Sequence, residues 1–281
     1  MSLPVPAVPD LAPLHLRVEG GVATVEIDHG KANEMGAAAV AAWERLAAWL
    51  ETGAVRVLVT RSLKRTSKGT PIFISGANVT ERRDWTEAQV QQHVRWQRAV
   101  LARLRHAPVF HVTVVEGLAL GWGTEFLLTA DWRIATPTAR MGLPETGLGI
   151  LPGAGGASEL PSRIGLTQAL RLGMTGELVE AVEAMRIGLV DELADTAEVA
   201  MARVARLSAM VLRRSPTAVA AYKAAALAGL GREEHARRDL EAHAYEHCVR
   251  AGEAAIGRAN FEAIVAGAAD VPWGAYRPWK P

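Results

Sequence analysis

Leu14, Leu16 and Val18 alternate with His15 and Arg17, and Gly20-Gly21 parts this run from a second alternating run, Val22 to Ile27. Period-two alternation on both sides of a glycine pair predicts a β-hairpin. The period then lengthens. Residues 36–51 carry Trp43, Leu46, Ala47 and Leu50 at three-to-four spacing, which predicts an amphipathic helix. Val55 to Val59 reads as a buried strand, and residues 86–105 as a second helix with Val90, Val94, Ala99, Leu101 and Leu104 apolar. Val109 to Val115 is β-branched and nearly uncharged, as a strand covered on both faces should be. Strands alternating with helices predict an α/β chain with parallel pairing.

Beyond Gly117 the pattern changes. Gly121-Trp122-Gly123 opens a short helical stretch through Leu128, and residues 141–156 hold six glycines and two prolines, too many for a regular element. From about 196 the periodicity is helical in four stretches, 196–213, 216–228, 232–250 and 251–267. Four successive helices exceed what an α/β core needs for cover, so this region is expected to make subunit contacts. Residues 272–281, with two tryptophans and a tyrosine, read as an ordered or partner-bound tail, and residues 1–13, with four prolines, as an extended arm. The expected division is therefore an arm over 1–13, an α/β core over 14–195 and a helical region over 196–281.

Composition narrows the function. The 281 residues are 49% apolar and 22% charged, with 31 Lys+Arg against 30 Asp+Glu. That balance provides no bulk field toward nucleic acid or anionic lipid. The longest uncharged run, Thr146 to Ser158, is too short and too rich in glycine and proline to span a bilayer. The first residues lack the basic and apolar regions of an export signal. A single cysteine, Cys248, rules out an intrachain disulfide and a paired-cysteine zinc site. The expectation is a soluble cytoplasmic enzyme without metal or resident cofactor.

Glu125 and Glu145 each sit in an otherwise apolar, glycine-rich stretch. A carboxyl in apolar surroundings has its pKa raised and can exchange a proton near neutral pH. Phe73-Ile74-Ser75-Gly76-Ala77-Asn78 is a strand-like run ending at Gly-Ala. With the Gly121-Trp122-Gly123 helix start it offers backbone N–H donors from two separate loops, the usual construction of an oxyanion hole.

Three segments in order, Ile-Ser-Gly-Ala-Asn, then Val-Glu-Gly-Leu-Ala-Leu-Gly-Trp-Gly-Thr-Glu, then Leu-Pro-Glu-Thr-Gly-Leu-Gly-Ile-Leu-Pro-Gly-Ala-Gly-Gly, resemble the enoyl-CoA hydratase/isomerase (crotonase) superfamily over roughly residues 14–195. The resemblance implies a spiral of repeated β-β-α units with a C-terminal helical trimerisation region, assembled as a homotrimer or homohexamer. It implies an acyl thioester of coenzyme A, or of a carrier protein, as substrate. Carried over by position, the N–H groups of Ala77 and Trp122 hold the thioester oxygen, with Ser75, Gly76, Gly121 and Gly123 beside the substrate. Glu125 and Glu145 match the two catalytic glutamates that hold the water added across a 2-enoyl double bond. Lys64, Arg65 and Lys68 are candidates for the phosphates of coenzyme A. Alternatives on the same scaffold are isomerisation, decarboxylation, dehalogenation, or acyl binding without catalysis. Trp122 stands where the family usually has glycine, and Gly155-Gly156-Ala157-Ser158-Glu159 replaces the common Gly-Gly-Thr-Gln-Arg. The glycines flanking Trp122 place its indole at the edge of the acyl pocket.

Other patterns carry less. Gly147-Leu148-Gly149-Ile150-Leu151-Pro152 has proline where a dinucleotide fingerprint needs glycine, and no strand precedes it. His243 and His247 are four apart on a helix without a third ligand in evidence. Ser75 and Ser158 do not complete Gly-x-Ser-x-Gly. Arg82-Arg83, Arg213-Arg214 and Arg237-Arg238 read as solvated faces.

Overall fold

The computed structural model describes residues 7–267 and 270–281. The expected hairpin forms from β1 (His15–Glu19) and β2 (Val22–Ile27), antiparallel with Glu19 opposite Val22. Helix α1 (Ala37–Leu50) follows, then β3 (Val57–Ser62) and β4 (Ile72–Ile74). Helix α2 (Glu87–His106) starts at a Thr86–Gln89 capping box, which satisfies two N–H groups that a helix start leaves open. Next come β5 (Phe110–Val115), β6 (Leu118–Leu120) and α3 (Trp122–Leu127). Then follow β7 (Trp132–Ala135), β8 (Arg140–Gly142), α4 (Leu160–Ile164) and α5 (Leu166–Thr175). The core closes with β9 (Val179–Glu180), α6 (Ala181–Arg186) and β10 (Glu192–Leu193).

Strands β3, β5 and β7 each join one sheet, and the strand after each joins another. The larger sheet has the order β1-β2-β3-β5-β7-β10, parallel from β2 onward; the smaller has the order β4-β6-β8-β9, with β4, β6 and β8 parallel. Each pair then yields to a helix. This is the expected spiral of β-β-α units. Strands β4, β6 and β8 have three residues each, too few to show a period, and only β4 was foreshadowed by sequence.

Both faces of the larger sheet are buried, which explains the nearly continuous apolar runs of β3 and β5. Leu58 and Val115 face a core shared with Trp43 and Leu46 of α1, Leu104 of α2 and Phe126 of α3. Val57, Val59, Val112, Val114 and Ile134 face the other way, onto Ala200 and Val204 of α7 (Ala197–Leu212). Helix α7 thus covers the sheet of its own chain. Beyond it lie α8 (Pro216–Ala228), α9 (Glu234–Arg250), α10 (Glu253–Ala259) and α11 (Phe261–Val265), the last expected helix being broken at Asn260.

The termini are more tied down than their composition suggests. The first six residues of the expected arm lie outside the described residues, but Leu11 and Leu14 are buried, and Arg45 of α1 donates to the carbonyls of Asp10 and Ala12. The tail has no regular structure yet docks on its own chain. Trp273 Nε1 donates to the Arg213 carbonyl at 2.9 Å, and the Arg277 N–H to Thr217 Oγ1 at 3.0 Å. No helix among the described residues is long and apolar enough to cross a membrane.

Candidate active site

The carboxyl ends of β4, β6 and β8 lie side by side, because these strands are parallel neighbours. Ala77 follows β4, the Gly121–Glu125 turn follows β6, and Glu145 follows β8. Crevices at the carboxyl ends of parallel strands are the usual place for ligands in such sheets. Four residues from three distant segments thereby reach one cavity of about 480 Å³, lined by Ala77, Trp122, Glu125 and Glu145 among others.

The loop carrying Ala77 is stitched to residues 32–35. Ser75 N–H donates to Ala32 O, Met35 N–H to Gly76 O and Asn78 N–H to Met35 O, at 3.1, 2.9 and 3.0 Å. Ala77 N–H has no acceptor among the described residues, and neither does the Trp122 N–H at the start of α3. Two unengaged donors therefore flank the cavity. Gly121 makes the second possible. Its φ is +50°, and a Cβ there would lie 2.6 Å from Glu145 Oε1. Gly123 lets α3 rest on β4, since a Cβ would meet the Ile74 carbonyl oxygen at 2.3 Å.

Glu125 sits in the first turn of α3, only 3% exposed. Its Oε1 accepts the N–H groups of Ala154 at 2.7 Å and Gly156 at 2.8 Å. Burial pushes its carboxyl up from the ordinary range, and those two hydrogen bonds oppose the rise. Glu145 belongs to a 3₁₀ turn, Pro144–Leu148, and its Oε2 is buried without a partner among the described residues. Burial, with repulsion from Glu125 adding to it, pushes the Glu145 carboxyl up to about 7.

Trp122 serves core and cavity together. Its indole is 2% exposed and stacks on Phe126 with ring centroids 5.5 Å apart, while the residue lines the cavity wall. Val90 and Val94 of α2, with Ile150 and Leu151, supply apolar wall. A further space of about 170 Å³ shares Arg98, Glu125 and Ala154 with the first. Arg98 Nε donates to Gly153 O at 2.8 Å, tying α2 to the loop that anchors Glu125.

Several expectations shift. Ser75, Gly76, Gly121 and Gly123 do not line the cavity; they shape its loops instead. Lys64, Arg65 and Lys68 lie outside it too. Lys64 pairs with Asp28 at 2.6 Å and Arg65 with Glu116 at 3.7 Å, while Lys68 is exposed. Arg82 is a correction of the other kind. Read as a solvated doublet with Arg83, it is half-buried and lines the cavity, because the turn Thr80–Arg82 folds it back toward α2. Arg98 and the N–H groups of Ala154 and Gly156 were not singled out; the glycine density of 141–156 was their one visible trace. His247 Nε2 lies 3.1 Å from the Arg277 carbonyl oxygen, a contact that helps hold the tail.

A model of the enoyl-CoA hydratase/isomerase family matches residues 18–263. Among solved structures, the chain is similar to the enoyl-CoA hydratase of Bacillus anthracis, with a TM-score of 0.83 and 26% identity over 94% of this chain and 99% of that one. Pseudomonas aeruginosa DspI matches with a TM-score of 0.83 at 28% identity, covering 95% and 99% of the two chains. AtuE of the same organism matches with a TM-score of 0.82 at 30% identity, covering 89% and 96%. With a family model spanning most of its length and the β-β-α spiral beneath it, the chain belongs to the enoyl-CoA hydratase/isomerase family, within the crotonase superfamily.

Proposed function

We propose that the chain adds water across the C2=C3 double bond of a 2-enoyl thioester of coenzyme A, using its own residues and no resident cofactor. The observation carrying this reading is the pair of glutamates with raised proton affinity on one cavity that also has two unengaged backbone donors. The N–H groups of Ala77 and Trp122 hold the thioester oxygen, where negative charge develops as C3 is attacked; each such donor contributes ~3–4 kcal/mol in comparable sites. Glu125, acting as a carboxylate whose charge two N–H groups help to stabilise, takes a proton from the water whose oxygen bonds to C3. Glu145, whose buried Oε2 has no partner among the described residues, carries the proton that goes to C2. A water between the two carboxyls returns the proton from Glu125 to Glu145 and resets the pair.

The test follows the loss of enoyl-thioester absorbance together with formation of the 3-hydroxyacyl product. Conversion to a shifted double bond without hydroxylation would assign isomerisation instead. No turnover, with tight acyl-CoA binding retained, would assign an acyl-binding role.

The working form in this reading is a trimer, or two trimers paired as a hexamer, in the cytoplasm. Leu166, Leu170, Met174, Val182 and Met185 on α5 and α6 are exposed, as are Tyr222 and Tyr245 on α8 and α9, and such apolar faces suit closed-symmetry contacts. Light scattering at micromolar concentration checks it, and a stable monomer would refute it.

A further inference from the structure

Arg82 raises a question that hydration alone does not answer. Its Nη2 donates to Gln97 Oε1 at 3.1 Å, and Gln97, 2% exposed, is anchored in turn by donating to the Met35 carbonyl at 3.5 Å. The guanidinium is thus braced from behind by a buried amide. Its Nε is buried and has no partner among the described residues. The adjacent acid, Glu81, is turned away to the start of α1, where its carboxylate accepts the Ala37 N–H at 3.0 Å. Arg95 and Arg98 line the same cavity, and none of the three arginines forms an ion pair among the described residues.

Two more deeply buried cations are matched by carboxylates, and Arg56, half-buried like Arg82 and also without an ion pair among the described residues, gives its Nη groups to the Val211 and Leu212 carbonyls. Arg133 pairs with Asp191 at 2.9 Å, and Lys223 with Asp131 at 2.7 Å. The charge of Glu81 only partly offsets the burial of the Arg82 guanidinium, and with no ion pair formed among the described residues a ligand carboxylate would offset what remains of the desolvation cost. Trp122 Nε1 is a second buried donor without a partner, on the same cavity wall. Catalysis in the proposed mechanism needs neither group.

We infer that the acyl group accepted here carries a free carboxylate of its own, bound by Arg82 inside the cavity. The planar guanidinium, held at Nη2 and buried at Nε, leaves its remaining Nη N–H groups for the charge-assisted contact that carboxylates favour. The phosphates of coenzyme A share the anionic chemistry. The acyl carboxylate is the better match because Arg82 shares its cavity with the glutamates and with apolar Val90, Val94, Ile150 and Leu151, where acyl carbons belong.

This inference rests on the thioester reading of the site, so its test is binding rather than turnover. Saturated succinyl, glutaryl and adipyl thioesters of coenzyme A cannot be hydrated; calorimetry of the full-length protein would compare each with its neutral ω-amide and with free coenzyme A. At least one carboxylate should bind ~10-fold or more tighter than its amide. In Arg82→Gln that ratio should fall to within ~2-fold of unity, while Arg82→Lys, which keeps the charge, should retain part of it. Equal binding of acid and amide by wild type, or an undiminished preference in Arg82→Gln, would overturn the inference. So would an equal loss of affinity for free coenzyme A, which would assign Arg82 to the phosphates. A carboxylate preference without hydration of the unsaturated thioester would sink the hydratase reading alone. Failure to bind any thioester would sink both.

Discussion

Glu125 leaves a six-residue helix that is buried throughout, whereas Glu145 stands on a short 3₁₀ turn whose following residues, Thr146 to Ile150, are exposed. One carboxylate has an oxygen fixed by two N–H groups; the other has a buried oxygen with no partner among the described residues. Hydrogen bonds to the charged form favour ionisation, and burial without them favours the proton. In the proposed reaction this difference makes the anchored group the base and the other the acid. Burial raises both carboxyls, and the two N–H groups oppose that rise at Glu125.

The largest effect should come from removing either member of the pair. Glu125→Gln and Glu145→Gln should each lower turnover by at least ~100-fold. The double variant should lose far less than the product of the singles, since one group cannot work without its partner. Near-normal hydration by either single variant, followed by enoyl absorbance, would break the pairing.

The pH profile separates the two roles. If Glu145 must be protonated, kcat should fall above about pH 7, tenfold per pH unit, and the acid limb should follow the ionisation of Glu125. Stability gives an independent reading of the same group. The folded Glu145 holds its proton to about 7 and the unfolded one to an ordinary carboxyl value, so between those values its own contribution to stability falls as pH rises. Buried His111, pushed down to about 3, contributes with the opposite sign over much of that window, so the reading is the Tm of wild type minus that of Glu145→Gln, which should fall as pH rises. A difference that stays flat or grows would contradict the assignment.

These differences were partly legible in the chain. Glu125 and Glu145 could be found because charge stands out in apolar, glycine-rich surroundings, and the long strands and helices because their periods run over several turns. The parallel strands that present the site were not legible at three residues each. Nor was the anchor of Glu125, since Ala154 and Gly156 contribute only backbone N–H groups, which leave no trace in side-chain pattern. Arg82 was misjudged because a surface doublet and a half-buried guanidinium look alike until the turn at Thr80 folds one of them inward. The ion pairs of Lys64 and Arg65 were not legible either, because their partners Asp28 and Glu116 are remote in sequence.

Gly121→Ala probes the contact between the two elements. The new methyl would press on Glu145 Oε1, and φ of +50° suits no alanine. Displacing a catalytic carboxyl even slightly should cost at least ~10-fold in kcat. The backbone penalty should lower stability by ~1–2 kcal/mol, seen as a drop in Tm. An unchanged kcat with lowered Tm would mean that Glu145 moves without consequence, and the acid would have to be sought elsewhere.

The smallest effect is expected at Trp122, whose backbone N–H is a proposed oxyanion donor while its ring joins the cavity wall. Trp122→Phe keeps the N–H at the helix start and an aromatic ring for Phe126 to stack on, and it removes the indole Nε1 that has no partner. Lost ring area destabilises, loss of a buried unsatisfied donor stabilises, and Tm should stay within ~3 °C of wild type. Turnover of a short neutral enoyl thioester should stay within ~3-fold. The smaller ring enlarges the cavity, so the ratio of kcat/KM for longer over shorter acyl chains should rise. An unchanged ratio would place the indole wholly in the core. A loss as large as that of the glutamate variants would instead bring its N–H into the chemistry, and two carboxyls would no longer suffice to describe the site.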